Sequence, residues 1–101
     1  MKINCAVIQM NSGTDRRENL DTASRLIERA AGEGAGLAAL PENFAYMRSE
    51  RDRFEPGENF SGPIVSWARD AARRHELYLL AGSFGELSKE GRKIYNTSQL
   101  I

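Results

Sequence analysis

The stretch Gly36-Leu37-Ala38-Ala39-Leu40-Pro41-Glu42-Asn43-Phe44 joins a short apolar run to a polar loop that carries an acid. Active sites of layered α/β proteins favour the ends of strands, where loops place side chains on a rigid scaffold. A carboxylate at such a point can act as a general base if a nucleophile lies within hydrogen-bond reach. Because acids at strand ends are common, this pattern alone favours an ordinary surface role for Glu42.

The composition is that of a single ordinary globular domain. The chain has 101 residues, of which 41% are hydrophobic and 28% charged, and its 14 basic residues balance 14 acidic ones. A net charge of zero gives no electrostatic reason to expect binding to nucleic acid or to an anionic membrane. The apolar runs are shorter than the roughly 18 residues that a membrane helix needs, and the N-terminus lacks the features of a signal peptide. We therefore expect a cytoplasmic protein.

The hydrophobic pattern predicts four strands, because apolar residues cluster in short runs separated by turn residues. The strands are predicted at 3–10, 37–40, 77–83 and 93–101, with a hairpin tip at 88–92 between the last two. Both faces of the first strand are apolar, so both are expected to be covered. Cys5 lies in that strand and is expected to be a small buried hydrophobe and not a nucleophile.

Two helices are predicted between these strands. Asp15 followed by Glu18 has the spacing of a capping box, which favours the start of a helix. Pro63 lies near the first turn of the second predicted helix, and Glu55-Pro56-Gly57 predicts a turn in the loop before it. The resulting order β-α-β-α-β-β indicates an α/β fold with a mixed sheet covered by two helices. The single histidine, His75, is too few for a metal site.

A series of short motifs occurs along the chain in a defined order. They are Glu18-Asn19-Leu20, Leu40-Pro41-Glu42-Asn43-Phe44, Gly62-Pro63, the run from Ala71 to Phe84, and Glu86 followed by Tyr95-Asn96-Thr97-Ser98. In order and spacing they resemble the N-terminal part of the nitrilase superfamily, the carbon–nitrogen hydrolases. The resemblance covers essentially all 101 residues, and it is greatest to bacterial ω-amidases and deaminated glutathione amidases.

The resemblance implies an α-β-β-α sandwich, of which residues 1–101 would be a single incomplete carbon–nitrogen hydrolase domain. It also implies a catalytic set of glutamate, lysine and cysteine. In that set the cysteine thiolate attacks the substrate carbon, the glutamate transfers protons and the lysine stabilises the oxyanion. The glutamate has a matching position here, Glu42. The lysine and the cysteine nucleophile would lie outside this chain. Lys93 stands at the start of the last predicted strand, whereas the family's lysine would follow that strand. Cys5 lacks the acidic and basic residues that follow the family's cysteine.

Four further residues match family positions near Glu42, and each also has an ordinary structural explanation. Asn43 and Phe44 follow the glutamate directly, so they are candidates for lining the pocket or for packing the loop. Glu86 and Asn96 are candidates for supporting Glu42 through hydrogen bonds. A hairpin residue and a polar strand residue would explain Glu86 and Asn96 equally well.

The function that the resemblance implies is hydrolysis of a small linear amide, such as the ω-amide of a 2-oxo acid. Such enzymes need no metal or cofactor, and the complete protein would form a homo-oligomer. Carbamoyl amino acid hydrolysis, or acyl transfer to an acceptor other than water, is an alternative within the superfamily. An alternative of another class is a non-catalytic α/β binding or interaction module. The isolated chain is expected to be inactive, because it lacks the nucleophile and the oxyanion donor.

Overall fold

The computed structural model describes residues 1–51 and 57–101. Along these residues the elements follow the predicted order: β1 (Cys5–Val7), α1 (Arg16–Gly32), β2 (Leu37–Ala39), α2 (Pro63–His75), β3 (Tyr78–Leu87) and β4 (Ile94–Leu100). The first strand is shorter than predicted, with three residues, and the third extends past Ser83. The turn predicted at Glu55-Pro56-Gly57 falls almost entirely outside the described residues.

The strands of the described chain form one mixed sheet in the order β1-β2-β3-β4. β1 pairs with β2 and β2 with β3 in parallel, whereas β3 and β4 are antiparallel. In the middle of the sheet Ala38 pairs with Ala6 on one side and Leu79 on the other. A register shift between Ala81 and Phe84 interrupts the β3–β4 ladder. Because parallel strands end at the same edge, the loops after β1 and β2 emerge side by side.

Both helices begin at the residues that their sequences favour. Asp15 is the N-cap of α1, and its Oδ1 accepts a hydrogen bond of 3.1 Å from the backbone N–H of Glu18. Pro63 occupies the first turn of α2, where the side chain of Glu58 accepts from the backbone N–H of Ile64. None of the helices in the described ranges combines the length and hydropathy that crossing a membrane requires.

The core lies between the helices and one face of the sheet. Ala38 in β2 and Leu79 in β3 have no solvent exposure and contribute from the sheet, while Ile27 in α1 is equally buried above them. The helices are joined by a hydrogen bond of 3.0 Å from Trp67 Nε1 of α2 to Ser24 Oγ of α1. Two crossover connections on one side of three parallel strands produce this arrangement.

The opposite face of the sheet is exposed along the residues that the structure describes. Val7, Leu80 and Leu100 lie in one row across it, with exposed fractions of 88%, 36% and 60%. The predictions that both faces of the first strand are covered and that Cys5 is buried are therefore wrong for this chain, in which Cys5 is exposed. The physical reason is that both helices pack on the other face. Among the residues that the structure describes, the side chains on the opposite half of each alternating strand are therefore left uncovered.

The buried and the exposed face of the sheet predict different losses of stability when two neighbouring leucines are truncated. Leu79→Ala should lower the free energy of unfolding of the 101-residue chain by about 2–5 kcal/mol, since it opens a cavity under the helices. Leu80→Ala is the matched control and should cost about 1 kcal/mol or less, because its side chain already meets solvent. Urea unfolding followed by the fluorescence of Trp67 measures both values. Equal costs at the two positions would contradict the one-sided core.

Candidate active site

Glu42 lies in a turn that follows the carboxyl end of β2. Its side chain is exposed, and its Oε1 accepts a hydrogen bond of 2.8 Å from Nδ2 of Asn96 in β4. The two residues are 54 positions apart in the sequence. The pairing of β2 with β3 and of β3 with β4 is what brings them together. The carboxylate is thus accessible to a substrate and is oriented by an amide donor.

The backbone of this turn has a left-handed conformation at Asn43, with φ of 52°. The N–H of Asn43 donates a hydrogen bond of 3.0 Å to Oγ of Ser83, a residue that is only 6% exposed. The neighbouring Gly82 has φ of 23°, and a Cβ atom there would overlap the carbonyl oxygen of Pro41. The turn that carries Glu42 therefore rests directly on the backbone of β3.

The residues after the turn are tied to the loop before α1 by Asn19, a buried polar residue. Its Nδ2 donates hydrogen bonds of 2.8 Å to the carbonyl oxygens of Gly13 and Ala45, and its Oδ1 accepts one of 3.0 Å from the N–H of Gly13. Met47 also bonds to this loop, through its N–H and the carbonyl oxygen of Gly13 at 3.0 Å. The side chain of Asn19 holds the two loops at a fixed separation, because all three bonds depend on it.

Phe44 is an anchor for the turn and faces away from solvent. It has no exposure, and its ring centroid lies 5.6 Å from that of Trp67 in α2. Aromatic pairs at this separation contribute beyond the area that they bury. Of the two roles that the sequence left open for Phe44, the structure shows packing of the loop.

A cavity of about 490 Å³ opens beside the turn, within the usual range for small-molecule sites. Asn43 and Asn96 contribute to its wall, so the residue that binds the carboxylate of Glu42 also faces the cavity. Charged residues of both signs line it as well, among them Arg16 and Glu58, with 3.8 Å between Arg16 Nη1 and Glu58 Oε2. The site can therefore take a polar ligand of modest size.

Glu86 lies in β3 and points its carboxylate at the next strand. Its Oε1 accepts a hydrogen bond of 2.7 Å from Oγ1 of Thr97. The structure thus brings Asn96 to Glu42 and joins Glu86 to Thr97. Within residues 1–51 and 57–101, no group of three or more His, Cys, Asp or Glu side chains lies close enough together to hold a metal ion.

Sequence reasoning assigned no role to Asn19, Gly82 or Ser83, although each lies within a motif that it noted. A signal for Asn19 was available, because it falls at helical spacing on the same face as the buried Ala23 and Ile27. A polar residue in an apolar stripe needs internal hydrogen-bond partners. The roles of Gly82 and Ser83 depend on where the β2 turn packs, which local pattern does not reveal.

Comparisons with known proteins agree with this architecture. The family model "Carbon-nitrogen hydrolase" matches residues 4–101, and the chain therefore belongs to the carbon–nitrogen hydrolase family. A deaminated glutathione amidase of Synechocystis sp. is 36% identical over 97 residues, which are 95% of this chain and 36% of that protein. Omega-amidase NIT2 of Danio rerio is 32% identical over 100 residues, covering 99% of this chain and 35% of that protein.

Solved structures show the same fold. Nit3 of Saccharomyces cerevisiae, a member of branch 10 of the nitrilase superfamily, matches with a TM-score of 0.85 and 31% identity over 98% of this chain and 39% of its own. A CN-hydrolase superfamily protein of Xanthomonas campestris matches with a TM-score of 0.78 and 24% identity over 97% of this chain and 39% of its own. The chain spans about a third of the length of the curated relatives it matches.

The hydrogen bonds of the Asn19 side chain to two loops predict a local effect when that side chain is removed. Asn19→Ala should destabilise the protein by about 1–3 kcal/mol, because it removes the side-chain donor to the buried carbonyl of Ala45 and the acceptor of the Gly13 N–H. Amide hydrogen exchange should quicken in residues 43–47, where Met47 depends on the same contact. Asn4→Ala is the control, since Asn4 is exposed and its bond to Gly34 is long, at 3.4 Å. Equal protection of residues 43–47 in the two variants would contradict this role of the Asn19 side chain.

Proposed function

We propose that residues 1–101 form part of a carbon–nitrogen hydrolase domain whose complete protein hydrolyses small linear amides, with Glu42 as the general base. The observation that carries the proposal is the exposed Glu42 carboxylate, which accepts a hydrogen bond of 2.8 Å from Asn96, a residue that lines a cavity of about 490 Å³. Membership of the family supports it. The position also supports it, because the carboxyl end of a parallel strand is where such folds place their sites.

The proposed mechanism uses Glu42 as a proton carrier for a cysteine supplied by residues outside this chain. Glu42 takes the thiol proton, and the thiolate attacks the amide carbon. The carbon–nitrogen bond breaks as Glu42 gives that proton to the leaving ammonia, which leaves a thioester. Glu42 then takes a proton from water, the hydroxide attacks the thioester, and the thiolate regains the proton as the acid departs. A lysine, also outside this chain, would stabilise the oxyanion of each tetrahedral intermediate.

The proposed substrate is an ω-amide of a 2-oxo acid or a similar small metabolite. Relatives named deaminated glutathione amidase and omega-amidase support this class, and the cavity volume suits a small polar molecule. The resemblance further supports action without a cofactor and as a homo-oligomer, and the single cysteine supports a location in the cytoplasm. Carbamoyl amino acid hydrolysis, or acyl transfer to an acceptor other than water, is the alternative within the family, and carbamoyl amino acids belong in the same assay.

The central prediction concerns ammonia release by the complete gene product, read from Met1 to its natural stop codon. Glu42→Gln should lower kcat on ω-amides by about 10²–10⁴-fold, because the side-chain amide of glutamine cannot act as the base that accepts a proton. Glu28→Gln, at an exposed acid on α1, is the matched control and should keep kcat unchanged. The panel includes ω-amides, carbamoyl amino acids and nitriles.

Each outcome of this assay selects one function. Ammonia from carbamoyl amino acids alone would replace the amidase proposal with the carbamoyl hydrolase. No release from any substrate, by a folded complete protein, would favour the binding module. The isolated 101-residue chain should release none, since it has neither the proposed nucleophile nor the oxyanion donor.

A separate prediction concerns Asn96. Asn96→Ala should lower kcat by about 10-fold with little change in KM, because the carboxylate loses the donor that orients it. Ser98→Ala is the control, as Ser98 is an exposed residue of the same strand. Equal kcat values for the two variants would show that the hydrogen bond between Asn96 and Glu42 does not contribute to the reaction.

A further inference from the structure

We propose that Ser83 is a positioning residue for Glu42. The buried hydroxyl of Ser83 fixes the left-handed turn at Asn43 and thereby sets the direction of the Glu42 carboxylate. The inference rests on the proposed function of Glu42. Ser83 does not touch the carboxylate. It acts through one backbone hydrogen bond, from the N–H of Asn43 to Oγ of Ser83 at 3.0 Å.

The turn needs such a support because its conformation is locally unfavourable. Asn43 has φ of 52°, in a left-handed region that is unfavourable for most residues with a Cβ atom. Asparagine tolerates the region better than most, yet nothing in its own sequence selects it over extended conformations. The hydroxyl of Ser83, a residue that is 6% exposed, can select it, since it accepts the N–H of Asn43 at 3.0 Å in this geometry.

An irregularity in β3 aims Ser83 at the turn. The pairing of β3 with β4 shifts between Ala81 and Phe84, so Gly82 and Ser83 leave the regular ladder. Bulges of this kind redirect side chains and are frequent next to active sites. At the same point Gly82 has φ of 23°, and its missing Cβ leaves room for the carbonyl oxygen of Pro41. The backbone of Gly82 in the bulge therefore contacts Pro41, the residue before Glu42. The side chain of Ser83 contacts Asn43, the residue after Glu42.

Glu42 is thus held between two fixed points, Pro41 against Gly82 and Asn43 on Ser83. Its carboxylate meets Asn96 of β4 at 2.8 Å only while that turn stays in place. β4 is itself paired to β3 just beyond the bulge, through Gly85 and Asn96. One bulge therefore sets the positions of both the carboxylate and its donor. A misplacement of about 1 Å in such a constellation can cost about 10²-fold in rate.

The test uses the complete gene product and the ω-amide that it hydrolyses fastest. Ser83→Ala should lower kcat per folded molecule by about 10- to 100-fold and leave KM within about 2-fold. Ser88→Ala is the matched control, because Ser88 Oγ likewise accepts backbone N–H hydrogen bonds, of 3.3 Å from Arg92 and 3.2 Å from Lys93, in the hairpin tip. It should leave kcat unchanged.

Two further variants separate positioning from mere stability. The double variant of Ser83→Ala with Asn96→Ala should be little slower than the slower single variant, since both act through the direction of the same carboxylate. Ser83→Cys keeps the shape and a weak acceptor, so its kcat should lie between those of wild type and Ser83→Ala. If Ser83→Ala fails to fold, Ser83→Cys takes its place in the test.

The possible results separate this inference from the function on which it rests. Full activity of Glu42→Gln would overturn both. Loss of activity in Glu42→Gln with wild-type kcat in Ser83→Ala, or in Ser83→Cys where the alanine variant does not fold, would overturn the role of Ser83 alone. Equal losses of kcat in Ser83→Ala and Ser88→Ala, or fully multiplicative losses in the double variant, would also overturn it.

Discussion

The close approach of the β2 turn to β3 is the constraint on which the candidate site depends. The carbonyl oxygen of Pro41 occupies space that a side chain at position 82 would fill, so only glycine permits the contact. The same contact coincides with the shift of register in β3. It fixes the residues on either side of Glu42, and it sets where β4 resumes pairing and presents Asn96. A local steric condition thus determines a site built from two distant segments.

The layering of the fold explains both the stability of the site and the exposure elsewhere. Both helices pack on one face of the sheet, and Phe44 extends that core to the turn through its contact with Trp67. Asn19 adds a polar anchor in the same core, bonded to the loops on either side. The opposite face presents Val7, Leu80 and Leu100 to solvent along the described strands. Burial on one side alone is enough to position the carboxylate, because all its supports come from that side or from the sheet itself.

Much of the fold was predictable because it follows from local patterns. The order of the elements, the cap at Asp15 and the start of α2 near Pro63 each follow from short stretches of sequence, and the structure confirms them. The exposure of Cys5 was not predictable in this way. Alternation shows that a strand has two apolar faces, but it does not show which face the helices of the same chain will cover. That choice is made by the handedness of the crossovers.

For the site, local sequence was sufficient to place an acid after an apolar strand and to show the ordered motifs of the carbon–nitrogen hydrolases. The hydrogen bond of Asn96 to Glu42 and that of Thr97 to Glu86 follow from the three-dimensional fold. So does the bond from the N–H of Asn43 to Ser83, 40 residues away. The physical reason is that neighbouring residues govern strand and turn propensity, whereas partners far apart in sequence meet only through strand register and packing.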